Sequence, residues 1–361
     1  MWKRNAILLI AAVIAFSLLG CDFTNFIRRQ TDELENTNTV TACEQPKCTP
    51  LTANDSGMEG ENADSAAEQP AKQNVLAATP APAKQFSIVW LSDPQFNSEE
   101  YPQIWDCMTD WIVENVIPLN IRYVIITGDF VNHMDADAEW QNATIALSKL
   151  DGVVPLLTVA GNHDVDQHHA DYTRYLHYFG DTRSPQLTTV ADTYENGRGR
   201  CDLLDAGGQA YMLLSLGYSV DEAGIQWLNN MLSLYPERQA ILCFHGYLAP
   251  DGSYTSDGGK LAKEVVQKNA NVRLVLCGHR HGVYHRTFDS ANSAPEQRKH
   301  PQYELLADYQ EEQHGGNGYL CILTFGETSD AVHVTTYSPW LKDYNCFNNA
   351  PETEDFVLDL Q

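Results

Sequence analysis

Basic residues are scarce in this chain. Its 361 residues include 23 lysines and arginines against 48 aspartates and glutamates, which gives a formal net charge of −25 at pH 7. A surface of that sign repels polyphosphate backbones, and no stripe rich in Lys and Arg interrupts it, so the sequence argues against a nucleic-acid partner. The same charge does not exclude a small phosphate ester, because bound metal cations can reverse the field locally.

Long apolar runs are also scarce, and the clearest one lies near the start of the chain. Lys3 and Arg4 precede an apolar run over residues 6–19, which is too short for a membrane-spanning helix and is typical of an export signal. We therefore predict that residues 1–20 are a signal peptide. An uncleaved N-terminal anchor helix is the alternative.

The end of this run carries a second signal. The sequence Leu18-Leu19-Gly20-Cys21 resembles the lipobox of bacterial lipoproteins. The resemblance implies cleavage before Cys21, a diacylglyceryl thioether on its sulfur and an acylated amino terminus, and several acyl chains would make membrane attachment stable. The expected location is the cell envelope, with the protein anchored in a membrane and facing the periplasm or the exterior.

Residues 21–84 differ in composition from the rest of the chain. They are rich in Thr, Asn, Glu, Ala, Gln and Pro and contain few large apolar residues, so they are predicted to be a disordered linker. Cys43 and Cys48 lie close enough in this segment to form a small disulfide in an oxidising compartment. Three later cysteines, Cys243, Cys277 and Cys321, lie in apolar runs and are predicted to be buried free thiols.

Residues 85–361 show a regular alternation of strand-length apolar runs and helical patterns. This predicts one α/β domain with parallel strand pairing in its first half. The predicted strands are 86–91, 123–127, 156–160, 211–216, 240–244, 273–277, 319–325 and 332–337. The predicted helices are 100–116, 136–150, 172–179, 221–234 and 260–268. The last two strands are expected to form an antiparallel hairpin, and residues 180–208 to form a loop or a small excursion from the sheet.

Five of the predicted strands end in residue types that bind metal ions. They run into Ser-Asp-Pro-Gln at 92–95, Gly-Asp at 128–129, Gly-Asn-His-Asp at 161–164, His-Gly at 245–246 and Gly-His-Arg-His at 278–281. Ligands bind at the carboxyl ends of strands in α/β sheets, so these motifs are expected to converge on one rim. Gly128, Gly161 and Gly278 would permit tight turns and close backbone approach. One such motif alone is an ordinary turn, whereas five in this order indicate a metal centre.

The set resembles the signature of the calcineurin-like metallophosphoesterase family, which reads Asp-x-His, Gly-Asp, Gly-Asn-His-Asp, His and Gly-His-x-His. The resemblance spans about residues 86–339. It implies an α/β fold of the α+β type, in which two mixed β-sheets pack as a sandwich flanked by helices. It also implies hydrolysis of a phosphoric mono- or diester by a hydroxide that bridges two divalent ions.

The resemblance also implies a role for each motif residue. Its ligands are Asp93, Gln95, Asp129 and His281 for one ion, and Asp129, Asn162, His245 and His279 for the other. Asp129 is the bridging carboxylate that holds two like charges close together. His163 is the general acid toward the leaving oxygen, and Asp164 orients His163 and stabilises its charge.

Gln95 departs from the family pattern, which usually has histidine at this position. An amide oxygen is a harder and neutral ligand, so the change favours manganese or magnesium over zinc. We predict two divalent ions, with manganese preferred and iron, zinc and magnesium as alternatives. The change also argues against the iron–zinc pair with a tyrosine ligand found in purple acid phosphatases. As an alternative, Gln95 bonds a metal-bound water.

Several other polar residues are weaker candidates. Substrate contacts are conceivable for Asn132, His133, His168, His169 and Arg174, although surface or packing roles are more common for such residues. Asp308 and Gln310 are candidates for the rim of the pocket, with a plain loop as the alternative.

The expected partner is a small phosphate ester, acted on by a monomer. Two other functions stay open: a non-catalytic metal-bound binding or scaffold protein of the envelope, and a nuclease of the same family. The His163–Asp164 pair argues against a scaffold, which needs no general acid, and the negative charge argues against a nuclease.

The lipobox generates a testable prediction. Mass spectrometry of the protein extracted from membranes should show an amino-terminal peptide that begins at an acylated Cys21, and the Cys21→Ala variant should retain residues 1–20. An unmodified Cys21 in the membrane-extracted protein would contradict the anchor.

Overall fold

The computed structural model describes residues 85–166, 170–180, 189–288, 300–326, 331–347 and 350–360. The predicted signal peptide, Cys21, the linker and the Cys43–Cys48 pair lie outside the described residues, as do His168 and His169. None of the helices in the described part of the chain is both long enough and apolar enough to cross a membrane.

Two mixed β-sheets form the centre of the fold. The first contains β1 (Phe86–Leu91), β2 (Ile121–Ile126), β3 (Leu156–Thr158), β11 (Leu320–Phe325), β12 (Ala331–Ser338), β13 (Asp343–Tyr344) and β14 (Asp355–Asp359). The second contains β4 (Val190–Tyr194), β5 (Gly199–Ala206), β6 (Gln209–Leu216), β7 (Gln239–Gly246), β8 (Val272–Gly278), β9 (Gly282–Thr287) and β10 (Tyr303–Asp308).

The strand order explains why both sheets are mixed. The first sheet runs β13-β12-β11-β1-β2-β3, with β14 also paired to β12, and the second runs β4-β5-β6-β7-β8-β10-β9. Strands β1, β2 and β3 are parallel, and so are β6, β7, β8 and β10, while the strands outside these groups pair antiparallel. Each sheet therefore has a parallel centre whose strands end at one edge.

The helices cover the outer faces of the sheets. They are α1 (Gln95–Glu99), α2 (Pro102–Asn115), α3 (Asp137–Ser148), α4 (Thr173–Phe179), α5 (Glu222–Leu234), α6 (Ser256–Glu264) and the short α7 (Gln313–Gly316). Proline occupies the first turn of α2, where its missing N–H is not needed. The Asp221 carboxylate accepts the Gly224 N–H at 2.7 Å and the Thr255 hydroxyl accepts the Gly258 N–H at 3.0 Å, which caps α5 and α6.

Three buried clusters follow from the alternation of side chains along the strands. In β1, Val89 and Leu91 face the cluster beneath α2 and α3, while Ile88 and Trp90 face the cluster between the two sheets. A third cluster joins the outer face of the second sheet to α5 and α6. The predicted sandwich of two mixed sheets flanked by helices is confirmed.

Several local predictions are also confirmed. Strands β1, β2 and β3 pair in parallel, and β11 and β12 form the expected antiparallel hairpin. The thiols of Cys243, Cys277 and Cys321 are buried and free. Burial raises the pKa of the Cys321 thiol to about 12, so it stays protonated and unreactive at neutral pH.

The loop predicted at 180–208 is wrong over much of its length, because β4 and β5 lie within it. Strand β5 carries Arg200 and Asp202, which gave it a polar appearance, yet these two side chains neutralise each other through bonds of 2.7 and 2.8 Å. A two-residue turn at Gly207-Gly208, with φ of 60° and 81°, joins β5 to β6 as a tight hairpin. The prediction also missed β9, β10, β13 and β14.

The cluster between the sheets generates a prediction about stability. Leu276 on β8 is fully buried there, so Leu276→Ala should lower the free energy of unfolding by about 2–5 kcal/mol in urea denaturation. Leu234, at the end of α5, is 61% exposed, and Leu234→Ala should change it by no more than about 0.5 kcal/mol. Equal effects of the two substitutions would contradict this assignment of the core.

Candidate metal centre

The carboxyl ends of strands from both sheets meet at one rim. The backbone N–H of His279, after β8, donates to both carboxylate oxygens of Asp93, after β1, at 3.0 and 3.1 Å. Nδ1 of His245, at the end of β7, donates to the carbonyl oxygen of Thr127, after β2, at 2.9 Å. These bonds join the first sheet to the second, so the predicted convergence of the motifs is confirmed for these residues.

The innermost group consists of Asp129, His245 and His279, whose ligand atoms all lie within 4.8 Å of one another. Nε2 of His245 is 3.3 Å from Oδ2 of Asp129 and 2.8 Å from Oδ1 of Asn162. Because Nδ1 of His245 is bonded to the Thr127 carbonyl oxygen, Nε2 is the ring nitrogen that faces the group. Metal-binding imidazoles usually have this orientation. Four of the predicted ligands, Asp129, Asn162, His245 and His279, therefore lie in one cluster.

Asp93 lies beside this group, with its Oδ1 3.8 Å from Nδ1 of His245, and the side chains of Asp93 and Gln95 are both buried. Nε2 of Gln95 donates to Oε1 of Gln310, whereas Oε1 of Gln95 has no hydrogen-bond partner among the described residues. A buried carbonyl oxygen without a partner costs about 1–3 kcal/mol. A bound cation would satisfy this oxygen, so the side chain fits the role of an oxygen ligand.

Three of these residues have an unusual backbone. Asp93, Asp129 and His279 adopt φ angles of 51°, 56° and 74°, in the left-handed region that residues other than glycine rarely occupy. Such conformations cost about 1–3 kcal/mol each and cluster at functional sites. Their coincidence at three positions of one rim therefore supports a functional site.

Two glycines allow the loops to come this close. A Cβ atom on Gly161 would lie 2.0 Å from Oδ1 of Asp129, and one on Gly278 would lie 1.9 Å from Oδ2 of Asp93. Any side chain at either position would displace a carboxylate. The predicted close backbone approach is confirmed at both positions.

The rim concentrates buried negative charge. Burial raises the pKa of Asp93 well above its usual range, and the neighbouring charges of Asp308 and Asp129 raise it further. Burial, with a contribution from Asp129, likewise raises the pKa of Asp308 to about 7. Carboxylates crowded in this way are stabilised by bound cations, and the donor set of carboxylates, amide oxygens and imidazoles suits divalent metal ions.

The two histidines of the innermost group respond differently to this environment. Burial would lower the pKa of His245, but Asp129 and Asp93 outweigh it and raise the pKa to about 10. Burial and the neighbouring His245 lower the pKa of His279 to about 4. His279 is thus neutral at pH 7, the form that binds metal, while His245 would release its proton when a cation binds.

The structure gives Asp164 other partners than the predicted one. Its oxygens accept four backbone N–H groups at 2.7–3.2 Å, from Asp129, Phe130, Val131 and Gly161. The ring of His163 is instead held through Nδ1, which donates to the carbonyl oxygen of Asn132 at 2.8 Å. The fully buried Asp164 carboxylate is committed to the loop backbone, so it shapes the turn that presents Asp129 rather than orienting His163 directly.

His281 also lies apart from the innermost group. Its ring is partly exposed, Nδ1 accepts the Glu311 N–H at 3.3 Å, and Nε2 is 3.4 Å from Oε1 of Glu312. The structure therefore places this predicted ligand at the edge of the rim, facing a short loop after β10.

The weaker candidates have structural partners. Nδ1 of His133 is 3.0 Å from Oε1 of Glu139 and 3.5 Å from Oε1 of Glu99, so these three groups could also hold an ion. Oε2 of Glu139 accepts the backbone N–H of Asn132, and Oε2 of Glu99 accepts its side-chain Nδ2–H. These two bonds hold the loop that carries the Asn132 carbonyl group. Arg174 pairs with Asp137.

Sequence reasoning underestimated Asp308 and Gln310. Asp308 is fully buried at the end of β10, a strand parallel to β8, and Gln310 joins it to Gln95. The short apolar run Leu-Leu-Ala that ends at Asp308 is consistent with one more buried strand that ends in a carboxylate.

A cavity of about 390 Å³ opens beside the two histidines of the innermost group. Lys260 and Arg280 line it, together with the hydroxyl-bearing residues Ser219, Thr255 and Ser256. The cavity gives a small anionic molecule room next to the proposed ions.

The fold and the site together define a two-sheet α/β protein with a metal-binding rim. The chain belongs to the calcineurin-like phosphoesterase family, whose model matches residues 86–283. The predicted family is therefore confirmed.

Curated relatives support this assignment. The chain is 38% identical to the uncharacterised protein YvnB of Bacillus subtilis over 297 residues, which cover 80% of this chain and 23% of YvnB. It thus spans about a quarter of the length of that relative. It is 27% identical to a probable cyclic nucleotide phosphodiesterase of Moraxella catarrhalis over 215 residues, which cover 55% of this chain and 72% of that protein.

A solved structure shows the same fold. A dimetal phosphatase from Danio rerio aligns with a TM-score of 0.51 and 14% identity, and the alignment covers 78% of this chain and 100% of that one.

The contacts of Asp164 generate a prediction. Asp164→Ala would leave four buried N–H groups without acceptors, so it should lower the free energy of unfolding by about 3 kcal/mol in the presence of a chelator. His163→Ala should change it by no more than about 0.5 kcal/mol, because that ring lies at the partly exposed surface of the site. Equally small effects in urea denaturation would show that Asp164 does not hold the turn.

Proposed function

We propose that this protein hydrolyses a small phosphoric mono- or diester with the aid of two divalent metal ions at the described rim. The observation that carries the proposal is the meeting of Asp129, His245 and His279 within 4.8 Å, with Asn162 bonded to the group. Membership in the calcineurin-like phosphoesterase family supports a hydrolase. Similarity to the probable cyclic nucleotide phosphodiesterase of Moraxella catarrhalis makes a cyclic nucleotide a substrate worth testing.

The proposed ions would neutralise the phosphate charge and lower the pKa of a bound water. The side chains supply the geometry. The carboxylate of Asp129 lies 3.3 Å from Nε2 of His245 and would hold an ion together with it. Gln95 offers an amide oxygen instead of an imidazole, and we propose manganese as the preferred ion, with iron, zinc and magnesium as alternatives.

His163 is suited to hold the proton for the leaving oxygen. Because a carbonyl oxygen only accepts hydrogen bonds, the Asn132 carbonyl fixes the proton on Nδ1 and leaves Nε2 as the atom that can exchange a proton with the substrate. Glu139 accepts the Asn132 N–H at 2.6 Å and thereby holds the carbonyl in place. The general acid is thus positioned by the loop after β2.

The cavity beside His245 and His279 limits the substrate class. Its volume of about 390 Å³ suits a small ester and lies within the usual range for small-molecule sites. The net charge of −25 works against a long polyanion, and the described residues that line the cavity include one lysine, Lys260, one arginine, Arg280, and the acidic Asp257. We propose a small phosphate ester rather than a nucleic acid as the substrate.

The lipobox supports a further part of the proposal. We propose that the protein acts as a monomer anchored to a membrane of the cell envelope through Cys21, with its catalytic domain facing the periplasm or the exterior. A substrate at that location would have to be exported or extracellular.

A substrate panel tests the proposed reaction. Protein stripped of metal and reloaded with Mn²⁺ should hydrolyse a nitrophenyl phosphate, a bis-nitrophenyl diester or a cyclic nucleotide in preference to single-stranded DNA. A chelator should abolish the activity, and so should Asp129→Asn, because a neutral amide bridges two cations poorly. The Asp110→Asn variant, changed on the exposed face of α2, serves as the matched control.

The role of His163 can be separated in the same assays. His163→Ala should lower kcat about 10²–10⁴-fold for an alkyl ester and much less for a nitrophenyl ester, whose leaving group needs little protonation. Equal losses for both leaving groups would contradict general acid catalysis. Two tightly bound ions without hydrolysis of any ester would instead support a metal-bound binding or scaffold protein.

A further inference from the structure

A short loop after β10 reaches the metal centre from outside the region that matches the family. This loop, residues 308–312, is called here the β10 loop, whereas the match ends at residue 283. The bond from Nδ2 of Asn97 to the carbonyl oxygen of Gly315, at 3.2 Å, holds the following segment against α1. The β10 loop and Gln95 are therefore packed together.

The β10 loop holds Gln95 through a chain of amide bonds that has a fixed direction. The Asp308 carboxylate accepts the backbone N–H of Gln310 at 2.9 Å and its Nε2–H at 3.1 Å. Because Oδ2 of Asp308 accepts this bond, Nε2 of Gln310 faces Asp308 and Oε1 of Gln310 faces away from it. Oε1 of Gln310 then accepts from Nε2 of Gln95, which turns Oε1 of Gln95 away from the β10 loop.

The last atom of this chain is the buried oxygen without a partner. Oε1 of Gln95 makes no hydrogen bond within the described residues, although the amide nitrogen of the same side chain donates to Gln310. A bare amide can rotate by half a turn and present nitrogen, which cannot bind a cation. The chain from Asp308 removes that freedom.

The β10 loop favours one half of the predicted dinuclear centre. Besides Gln95, the contacts of the β10 loop reach His281, through the Glu311 N–H at 3.3 Å and the Glu312 carboxylate at 3.4 Å. Asp93, Gln95 and His281 are the residues implied for one ion only. Across the described ranges, the hydrogen bonds of the β10 loop reach neither Asn162 nor the histidines of the other ion.

We propose that Gln310 and Asp308 are positioning residues for one of the two metal sites, where they fix the amide of Gln95 so that its oxygen binds the ion. Together, Gln95 and the β10 loop supply the oriented metal ligand that a histidine usually supplies at this position in the family. The affinity of this site depends on the β10 loop, and the affinity of the other site does not. The inference rests on the proposed two-metal function.

Metal binding by the whole protein tests this inference without any activity assay. Calorimetric titration of metal-free protein with Mn²⁺ gives the number and affinity of the sites, and electron paramagnetic resonance distinguishes coupled pairs from single ions. The unaltered protein should bind about two ions as a coupled pair. Gln310→Ala should weaken one site about 10–100-fold and leave the other unchanged, as is typical when a partner of a ligand is lost.

Three further variants separate positioning from general damage. Gln313→Ala removes an exposed glutamine three residues along the same segment and should leave both affinities unchanged. Gln95→His combined with Gln310→Ala should restore two-site binding, because an imidazole needs no amide partner to fix its orientation. Asp308→Asn should weaken the same single site, because an amide at 308 lets the chain of bonds reverse.

The outcomes distinguish this inference from the proposed function. If the unaltered protein binds fewer than two ions, the two-metal function itself is contradicted. If it binds two and Gln310→Ala binds two with unchanged affinities, the function stands and the positioning role is wrong. If Gln310→Ala weakens both sites equally, the β10 loop does not act on one site selectively and the inference is wrong. If Gln310→Ala does not fold, Asp308→Asn decides, and normal affinities at both sites in that variant would also contradict the inference.

Discussion

Buried negative charge at the meeting of two sheets is the constraint on which the rest of the structure depends. Asp93, Asp129 and Asp308 come from three strand ends and are buried. Burial raises the pKa of Asp93 and of Asp308, whereas the neighbouring His245 lowers the pKa of Asp129. Three buried aspartates at this spacing are stable only when cations bind between them or when some of them are protonated. The left-handed backbone at two of these aspartates and the close glycine contacts show that the chain is folded tightly around this charge.

The surrounding architecture holds the charged groups at fixed distances. Parallel strands in each sheet end at the same edge, and bonds from His245 and His279 connect the two edges. The buried Asp164 carboxylate gathers four N–H groups of the turns after β2 and β3 and so fixes the position of Asp129. The proposed chemistry requires this rigidity, because transfer of a phosphoryl group depends mainly on positioning and charge.

Much of the fold and most of the site were predictable because they depend on short-range patterns. Apolar runs marked β1, β2 and β3, and the polar residues after them marked the rim. The failures have physical causes. Strand β5 was missed because its charged residues pair with each other, and β10 because the strand lies between polar segments. The partner of Asp164 could not be read from its neighbour His163, because the direction of a buried side chain depends on packing.

The sequence by itself determined the family, the two-sheet fold and the identity of the residues that converge, since each follows from motifs within a few positions of a strand end. The way in which those residues are held depends on contacts between distant parts of the chain. Asp164 accepts backbone N–H groups, His281 lies at the edge of the rim beside Glu312, and Gln95 bonds Gln310, which is 215 positions away in the sequence. Contacts between distant segments depend on how the sheets pack, and no local pattern encodes them.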